Sequence, residues 1–461
     1  MKMQIKQNVL DATFSHFIKH QKKYLVLLAV LILLLHFAAN YLAGKPLLSG
    51  AESYYHLYSA REWIDFNPLS AVLSLFPDSV VFLLPLLLAV ISILLLLAIA
   101  QKIGLTERVA FFFTLFLILS PTFLFAFTTL SSYSFFLFLV LLGFFLLMQE
   151  QKILRYLSLL PFILAAGFDI FSTAFLLVLL LIYRSVTHDK KDPVSLAGIG
   201  TTAVLFVATL ILKFPLLLGP FHRQQLVSDL VSDFGGLSGI SAFILLLAII
   251  GMLSTWKKKN FYHLYLLLPL IIPAYIFNTN IIFYLSLIIV VFAAISFVQM
   301  FERRWNLISL KHFTMIILLL GVIFSTITYL DRFSNYGPSH DDKDALIWIK
   351  EHTPVNSVVL SAPENSYVIR YFAEREPLRV FEKGTYTEKT ELAEAVFSSL
   401  YIQDLFPTLE ENKVRFLFIT KEMKQGLPSD QGFLFLLKNE RFKLLYASGD
   451  SEVWAFKQEN K

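Results

Sequence analysis

The chain has no cysteine among its 461 residues and few charges, with Asp, Glu, Lys and Arg making up only 16%. The first absence excludes a disulfide scaffold, a thiolate zinc centre and a cysteine nucleophile. The second excludes a chain that is soluble throughout, because soluble domains average about 25% charged residues. Walker loops, Rossmann glycine fingerprints and HExxH pairs are also missing, which leaves nucleotide hydrolysis and zinc proteolysis unsupported. Apolar residues, by contrast, are abundant: 56% of the chain is hydrophobic, 46 residues are Phe, and mean hydropathy is +0.66. Phe and Leu lie in long blocks, the pattern of membrane spans rather than of one large core. A net charge of +5 and a pI near 9.0 would suggest nucleic acid only if the charge were clustered. It follows membrane topology instead, so no nucleic-acid partner is expected.

The first apolar run, Tyr24 to Gly44, follows a basic start with Lys2, Lys6, Lys19, Lys22 and Lys23. It is long enough to cross a bilayer, and Asn40-Tyr41-Leu42-Ala43-Gly44 is a weak match to a cleavage site, so it reads as a retained anchor. Further runs at 80–100, 109–127, 133–148, 157–168, 170–183, 195–214, 238–255, 262–278, 281–300 and 312–330 bring the expected number of spans to about eleven. With the N-terminus inside, the inner segments carry 18 Lys and Arg and the outer loops only four: Lys45, Arg61, Lys213 and Arg223. That asymmetry predicts a multi-pass protein of the cell membrane with a cytoplasmic N-terminus and an extracytoplasmic C-terminal domain.

The expected division is a membrane domain, 1–330, and an α/β domain, 331–461. In the second, Asp341 reads as the N-cap of a helix Asp342–His352 that ends at Thr353-Pro354. Val358–Leu360, Leu378–Phe381 and Arg415–Thr420 read as strands, and Phe442–Tyr446 with Glu452–Phe456 as a closing hairpin across Ser448-Gly449-Asp450. Glu364–Ala373, Thr390–Leu405, Leu409–Asn412 and Phe433–Asn439 read as helices.

The middles of most spans hold no charge, which argues against a translocation path. Acidic residues gather instead at outer ends and loops: Glu52, Glu62, Asp65, Asp78, Asp169, Asp229 and Asp233. This pattern points to work at the outer interface on something whose tail lies in lipid. The first outer loop, GAESYYHLYSAREW from Gly50 to Trp63, places Glu52, His56 and Ser59 on one helix face and Tyr54, Tyr58 and Arg61 on another. Glu52 could be a metal ligand or general base with His56 beside it. Alternatively the segment is an interfacial helix anchored by its tyrosines and Trp63, and spacing alone favours that second reading. Asp169 is read equally as a cavity residue for a metal or sugar hydroxyl and as a helix cap for Ile170 onward. His222-Arg223 could meet a lipid phosphate or ordinary headgroups.

GAESYYHLYSAR resembles the first outer loop of type-C (GT-C) glycosyltransferases, above all the archaeal oligosaccharyltransferases. ALIWIKEHTPVNSVVLSAPENSYVIRYFAERE is similar to that family's segment around WWDYG. LVSDLVSDFGGLSGISAFILLLAIIGML is similar to its TIxE loop and the following span. The resemblance implies a GT-C-like polytopic helical fold with an outer α/β domain. It also implies transfer of a sugar or oligosaccharide from a polyprenyl-phosphate carrier to a protein or glycan acceptor on the outer face, in contact with membrane lipid. On its register Glu52 stands for the metal-binding Asp, and Asp229 for the Glu of TIxE. These two become the catalytic and metal residues, with a divalent Mg or Mn as candidate cofactor. His56, Asp169, Arg223 and Glu364 become substrate contacts, Arg223 toward the donor phosphate. Three positions depart from the pattern. Ala362-Pro363-Glu364-Asn365-Ser366 replaces WWDYG, the second outer loop Phe127–Ser134 holds no carboxylate or His, and Asn278-Thr279-Asn280-Ile281 lacks an Arg. The alternative from a different class is therefore a non-catalytic scaffold or assembly partner that keeps the fold.

Overall fold

A computed structural model of the chain describes residues 16–62, 67–186, 192–213, 226–277, 281–378, 395–428 and 431–458. Two compact units emerge from its contacts. Met1–His36, Asn67–Leu69 and Val80–Ser334 form the first, and Phe37–Phe66, Ser70–Ser79 and Asn335–Lys461 the second.

The first unit is helical. Every apolar run read in the sequence coincides with a helix or helix pair: Gln21–Leu42, Leu83–Lys102, Glu107–Ile118 with Pro121–Thr128, Ser132–Leu147, Leu159–Ala166, Ile170–Val186, Pro193–Lys213, Ala242–Thr255, Tyr262–Phe277, Ile282–Glu302 and Ile308–Phe333. Among the described residues, five of these helices are long and apolar enough to cross a membrane, or six if the pair bent by 61° is one span. Ser132–Leu147, Ile170–Val186, Ala242–Thr255 and Tyr262–Ile276 fall short of that length. The bend sits where Pro121, which has no N–H to donate, starts a new helix, and the Ser120 hydroxyl caps it by accepting from Phe123 N at 3.2 Å.

Ile282–Glu302 is 83% buried, so it is the central helix of this unit rather than a lipid-facing one. Ala242–Thr255 lies against it with Gly251 at the contact. A Cβ there would stand 2.1 Å from the Phe292 carbonyl oxygen, and backbone cannot swing aside as a side chain can. G251A is accordingly expected to cost about 1–3 kcal/mol or more by overpacking. A thermal melt of the detergent-solubilised variant reads this directly, and a melt matching wild type would show that the two helices separate freely.

The second unit holds a five-stranded sheet in the order β2-β1-β3-β5-β4. Its strands are β1 Val358–Leu360, β2 Glu376–Pro377, β3 Val414–Ile419, β4 Phe442–Ser448 and β5 Ser451–Phe456. β1 pairs parallel with β2 and β3, whereas β3–β5 and β4–β5 are antiparallel. Leu360, Leu405, Leu409, Val414, Leu417, Phe433, Phe442 and Phe456 make its buried core.

Several local readings shift by a turn or less. The first helix is His340–His352 and its N-cap is Ser339, not Asp341. Ser339 and Asp342 form a reciprocal capping box, which satisfies two backbone donors where Asp341 would satisfy one. Glu364–Ala373 is three pieces: a 3-10 turn Pro363–Asn365, one α turn Ser366–Val368 and a π turn Ile369–Ala373. The expected strand Leu378–Phe381 is β2 at Glu376–Pro377, with 379–381 outside the described residues. Of Thr390–Leu405 only 395 onward is described, and its helix is interrupted at 399–401 before Ile402–Glu411, which takes in the expected second helix with Asn412 as its C-cap. Thr420 leaves β3 to cap Lys421–Gly426, and the helix begun at Phe433 stops at Leu436.

Candidate functional site

The first-loop sequence forms the helix Ala51–Glu62, with Glu52 in its first turn and Arg61 in its last, the arrangement that complements the helix dipole. Its entry is tightly built. Gly50 has φ +77°, and a Cβ there would lie 2.7 Å from the Tyr336 ring. A Cβ on Gly337, which has φ +114°, would likewise lie 2.7 Å from the Gly50 backbone nitrogen. Asn40 Nδ2 donates to Ser49 Oγ at 3.2 Å, Ser53 Oγ donates to Ser49 O at 2.6 Å, and Tyr54 Oη donates to Leu48 O at 2.9 Å. Only glycine can take those backbone angles so close to a ring without strain.

Of the tyrosines read as interfacial anchors, Tyr54 is buried while Tyr55 and Tyr58 are partly exposed, and Trp63 lies outside the described residues. Tyr54 is 2% exposed and packs against Tyr371 at 5.3 Å and Phe372 at 5.2 Å between ring centres. Burial, then the neighbouring Tyr371, pushes its phenol well above the ordinary value. Tyr55 meets Tyr367 edge to face at 4.8 Å.

Glu52 and His56 share one face as the spacing requires. The buried His56 Nε2 lies 3.7 Å from Glu52 Oε1, and its Nδ1 is 3.4 Å from Ser70 Oγ. Glu52 itself keeps 20% of its side chain exposed, so it can reach an incoming group while its histidine neighbour cannot. Glu364, exposed in the 3-10 turn Pro363–Asn365, and Glu52 both bear on Tyr336. Burial first, then the Glu52 and Glu364 charges, push that phenol up to about 12. Three of the sequence candidates thus belong to one neighbourhood, joined by Tyr336, which sequence reasoning missed. Its only sequence signal was the following glycine, which permits the close approach.

The remaining candidates lie in the helical unit or outside the described residues. Asp169 is a helix cap: Oδ1 accepts from Ser172 N at 2.8 Å and Oδ2 from Ser172 Oγ at 2.5 Å, while Tyr284 Oη stands 2.5 Å from that same Ser172 hydroxyl. Asp229 is half-buried in the short helix Leu226–Leu230, and burial raises its carboxyl above the usual range. The neighbouring Asp233, not singled out for a role in the sequence, organises this loop. Its Oδ2 accepts from Ala242 N at 2.7 Å, capping the helix Ala242–Thr255, and its other oxygen accepts from Ser325 Oγ. Gly236 and Gly239 are required, since a Cβ on either would come within 2.5 Å of backbone. Arg223 falls outside the described residues. Glu52 and Asp229 belong to different units. Among the described residues no three His, Asp or Glu side chains come together as a metal-ligand set.

No protein-family model and no curated protein matches the chain. Solved structures do. One is the Archaeoglobus fulgidus oligosaccharyltransferase tethered with an acceptor peptide containing the NVT sequon, at TM-score 0.60 and 12% identity over 96% of this chain and 75% of that one. The archaeal oligosaccharyltransferase AglB from the same organism, in complex with an inhibitory peptide and a dolichol-phosphate, matches at TM-score 0.53 and 14% identity over the same shares. ArnT from Cupriavidus metallidurans in the apo state matches at TM-score 0.51 and 12% identity over 95% of this chain and 98% of that one. At such identities the likeness is one of fold, and the resemblance read in the sequence is to that same group. The chain shares its fold with these archaeal oligosaccharyltransferase and ArnT structures.

Proposed function

We propose that the protein is a membrane glycosyltransferase that moves a sugar from a polyprenyl-phosphate carrier to an acceptor on the outer face. The observation that carries this reading is Glu52, one-fifth exposed in the first turn of the first-loop helix and backed by buried His56, in a chain that shares the GT-C fold along nearly all its length. In the reaction, an acceptor O–H or N–H attacks the anomeric carbon as the bond from that carbon to the carrier phosphate oxygen breaks. The carrier phosphate leaves with the bonding pair, and Glu52 takes the acceptor proton. Asp229 assists, its carboxyl already tuned by burial. Asp169 and Glu364 contact sugar or acceptor, and Arg223 the donor phosphate.

A divalent Mg or Mn fits this reading in one specific way. Such ions are commonly held by one or two carboxylates plus substrate phosphates and water, so a full protein cage is not required. Glu52 would be its protein ligand, with phosphate and water completing the set, and its chemistry would be to neutralise charge on the leaving phosphate. The archaeal neighbour in complex with a dolichol-phosphate supports a lipid-linked donor in general kind.

Reconstitution in liposomes with polyprenyl-phosphate-linked sugars, read by mass spectrometry, tests the proposal. Transfer is expected, without preference for Asn-x-Ser/Thr over Asn-x-Ala peptides, because Ala362 and Pro363 stand where the tryptophans would be. A clear hydroxyl preference would show that sequon recognition survives through other residues. No transfer from any such donor would favour the second reading, a non-catalytic scaffold. One observation favours that reading. In the second outer loop, Thr128, Thr129 and Ser134 are buried and spend their hydroxyls on Leu124 O, Phe125 O and Ser131 O at 2.6–2.8 Å.

Orientation has its own test. With 18 Lys and Arg assigned inside against four outside, a cytoplasm-only reporter fused after Lys461 is expected to be silent. A strong signal would place the α/β domain inside and remove the outer-face chemistry with it.

A further inference from the structure

Among the described residues no hydrogen bond or ion pair holds the Asp229 carboxylate. Its direction is therefore set by the backbone of its own loop, residues 226–241. That backbone is packed closely on itself. A Cβ on Gly236 would lie 2.5 Å from Ser228 O and 3.0 Å from Asp229 Cα, and one on Gly239 would lie 2.7 Å from Asp229 O. Ile240 N donates to Leu230 O at 2.8 Å, and Ser232 N to Ile240 O at 3.1 Å. Asp229 thus moves only if the 236–240 side of the loop moves with it.

Two neighbouring helices fix that side. Thr122 Oγ1, in Pro121–Thr128, donates to Ser238 O and Gly239 O, 3.2 Å from each. From Ile308–Phe333, Arg332 Nη2 donates to Gly236 O at 2.9 Å, and about two turns earlier Ser325 Oγ donates to Asp233 Oδ1. The second Asp233 oxygen takes Ala242 N at 2.7 Å, an amide at the start of Ala242–Thr255 that has no partner within its own helix. Asp233 is exposed, so its bonds compete with water, and they hold because both donors are fixed in place. One is a helix N-terminus, and the other, Ser325, is only 2% exposed.

We propose that Asp233, locked by Ser325, is a positioning residue that aims the Asp229 carboxylate for the transfer reaction. The inference rests on the proposed role of Asp229 and adds how that group is held. A carboxylate with no side-chain partner is only as well placed as its backbone, and a misplacement of about 1 Å can cost about 10²-fold in rate. The lock is a hydrogen bond from a buried hydroxyl to an ionised acceptor, roughly twice as strong as a neutral one.

Ser325 can be altered without touching Asp229, Asp233 or the Ala242 cap. In liposomes with a polyprenyl-phosphate-linked sugar, S325A is expected to lower kcat about 10-fold or more with KM unchanged, because alignment acts in the transition state. S325T keeps the hydroxyl and should recover most of the loss. T326V is the control for a purely structural role, since Thr326 Oγ1 is also buried but donates to Leu119 O at 2.8 Å and Val322 O at 2.9 Å, not to the loop. It should lower the melting temperature comparably and keep the wild-type kcat. D233N offers one acceptor where two are needed, so kcat should fall, and adding S325A should cost little more. A folded S325A with wild-type kcat overturns the proposal, as does T326V losing kcat in step with S325A. Should S325A fail to fold, D233N decides, and its unchanged kcat overturns the proposal. If wild type transfers sugar and D229N does so equally well, this inference falls while the transferase reading stands. If wild type transfers nothing from any such donor, both fall.

Discussion

E52Q is expected to express, fold and melt as the wild-type protein does while losing transfer on the order of 10²-fold or more, the usual weight of a general base. Glutamine keeps the shape of glutamate, but it cannot accept the acceptor proton and is a poor ligand for a hard divalent cation. The cost to stability should be about 1 kcal/mol or less, because what is lost is one first-turn charge on a helix N-terminus and a 3.7 Å approach to His56. D229N should behave likewise, and the two losses should combine less than additively if both residues serve one reaction. Retention of full transfer by both single variants would remove these carboxylates from the mechanism. Melting and transfer are therefore measured on the same preparations, so that a folding defect cannot be taken for a catalytic one.

The second large effect is structural and falls on Arg375. This guanidinium is only 6% exposed and is spent on backbone. Its Nη2 donates to Lys350 O at 2.7 Å and Thr353 O at 2.5 Å, Nη1 to Ala373 O and Glu374 O at 3.2 Å each, and Nε to Thr353 Oγ1 at 3.0 Å. It thus closes the C-terminal end of the helix His340–His352, whose last carbonyls have no intrahelical partner, and pins the π turn that carries Arg370 and Tyr371. R375M fills the space but strands those buried acceptors, and about 3 kcal/mol or more of destabilisation is expected. R375K should recover only part, because an ammonium cannot span five acceptors with a planar fork. The readout is the melt of the full chain together with protease cleavage between residues 340 and 378. Wild-type behaviour in both would show that the acceptors find other donors.

Tyr336 and Arg375 show why these positions escaped a reading of the sequence. Each acts through contacts with segments distant in the chain, Tyr336 across almost 290 residues to Gly50 and Glu52. No periodicity or motif carries such information. Ser339 was passed over for Asp341 for a smaller reason, since both are good caps and the choice turns on which one has a reciprocal partner three residues on. The π turn was invisible because an inserted residue changes no composition and barely disturbs an apolar stripe.

Hydrophobic run length, loop charge and strand alternation are local properties, and they determined a great deal. All the apolar helices, the α/β character of the tail with its closing hairpin, and the shared face of Glu52 and His56 follow from residues close in sequence. What required the tertiary structure was every relation between distant segments. It grouped the first outer loop with the tail in one compact unit and buried Tyr54 against Tyr371 and Phe372. It also crossed Arg61 and Arg370 over each other's tyrosines. Packing at close range decides such matters, and which side chains come into range depends on the whole chain having folded.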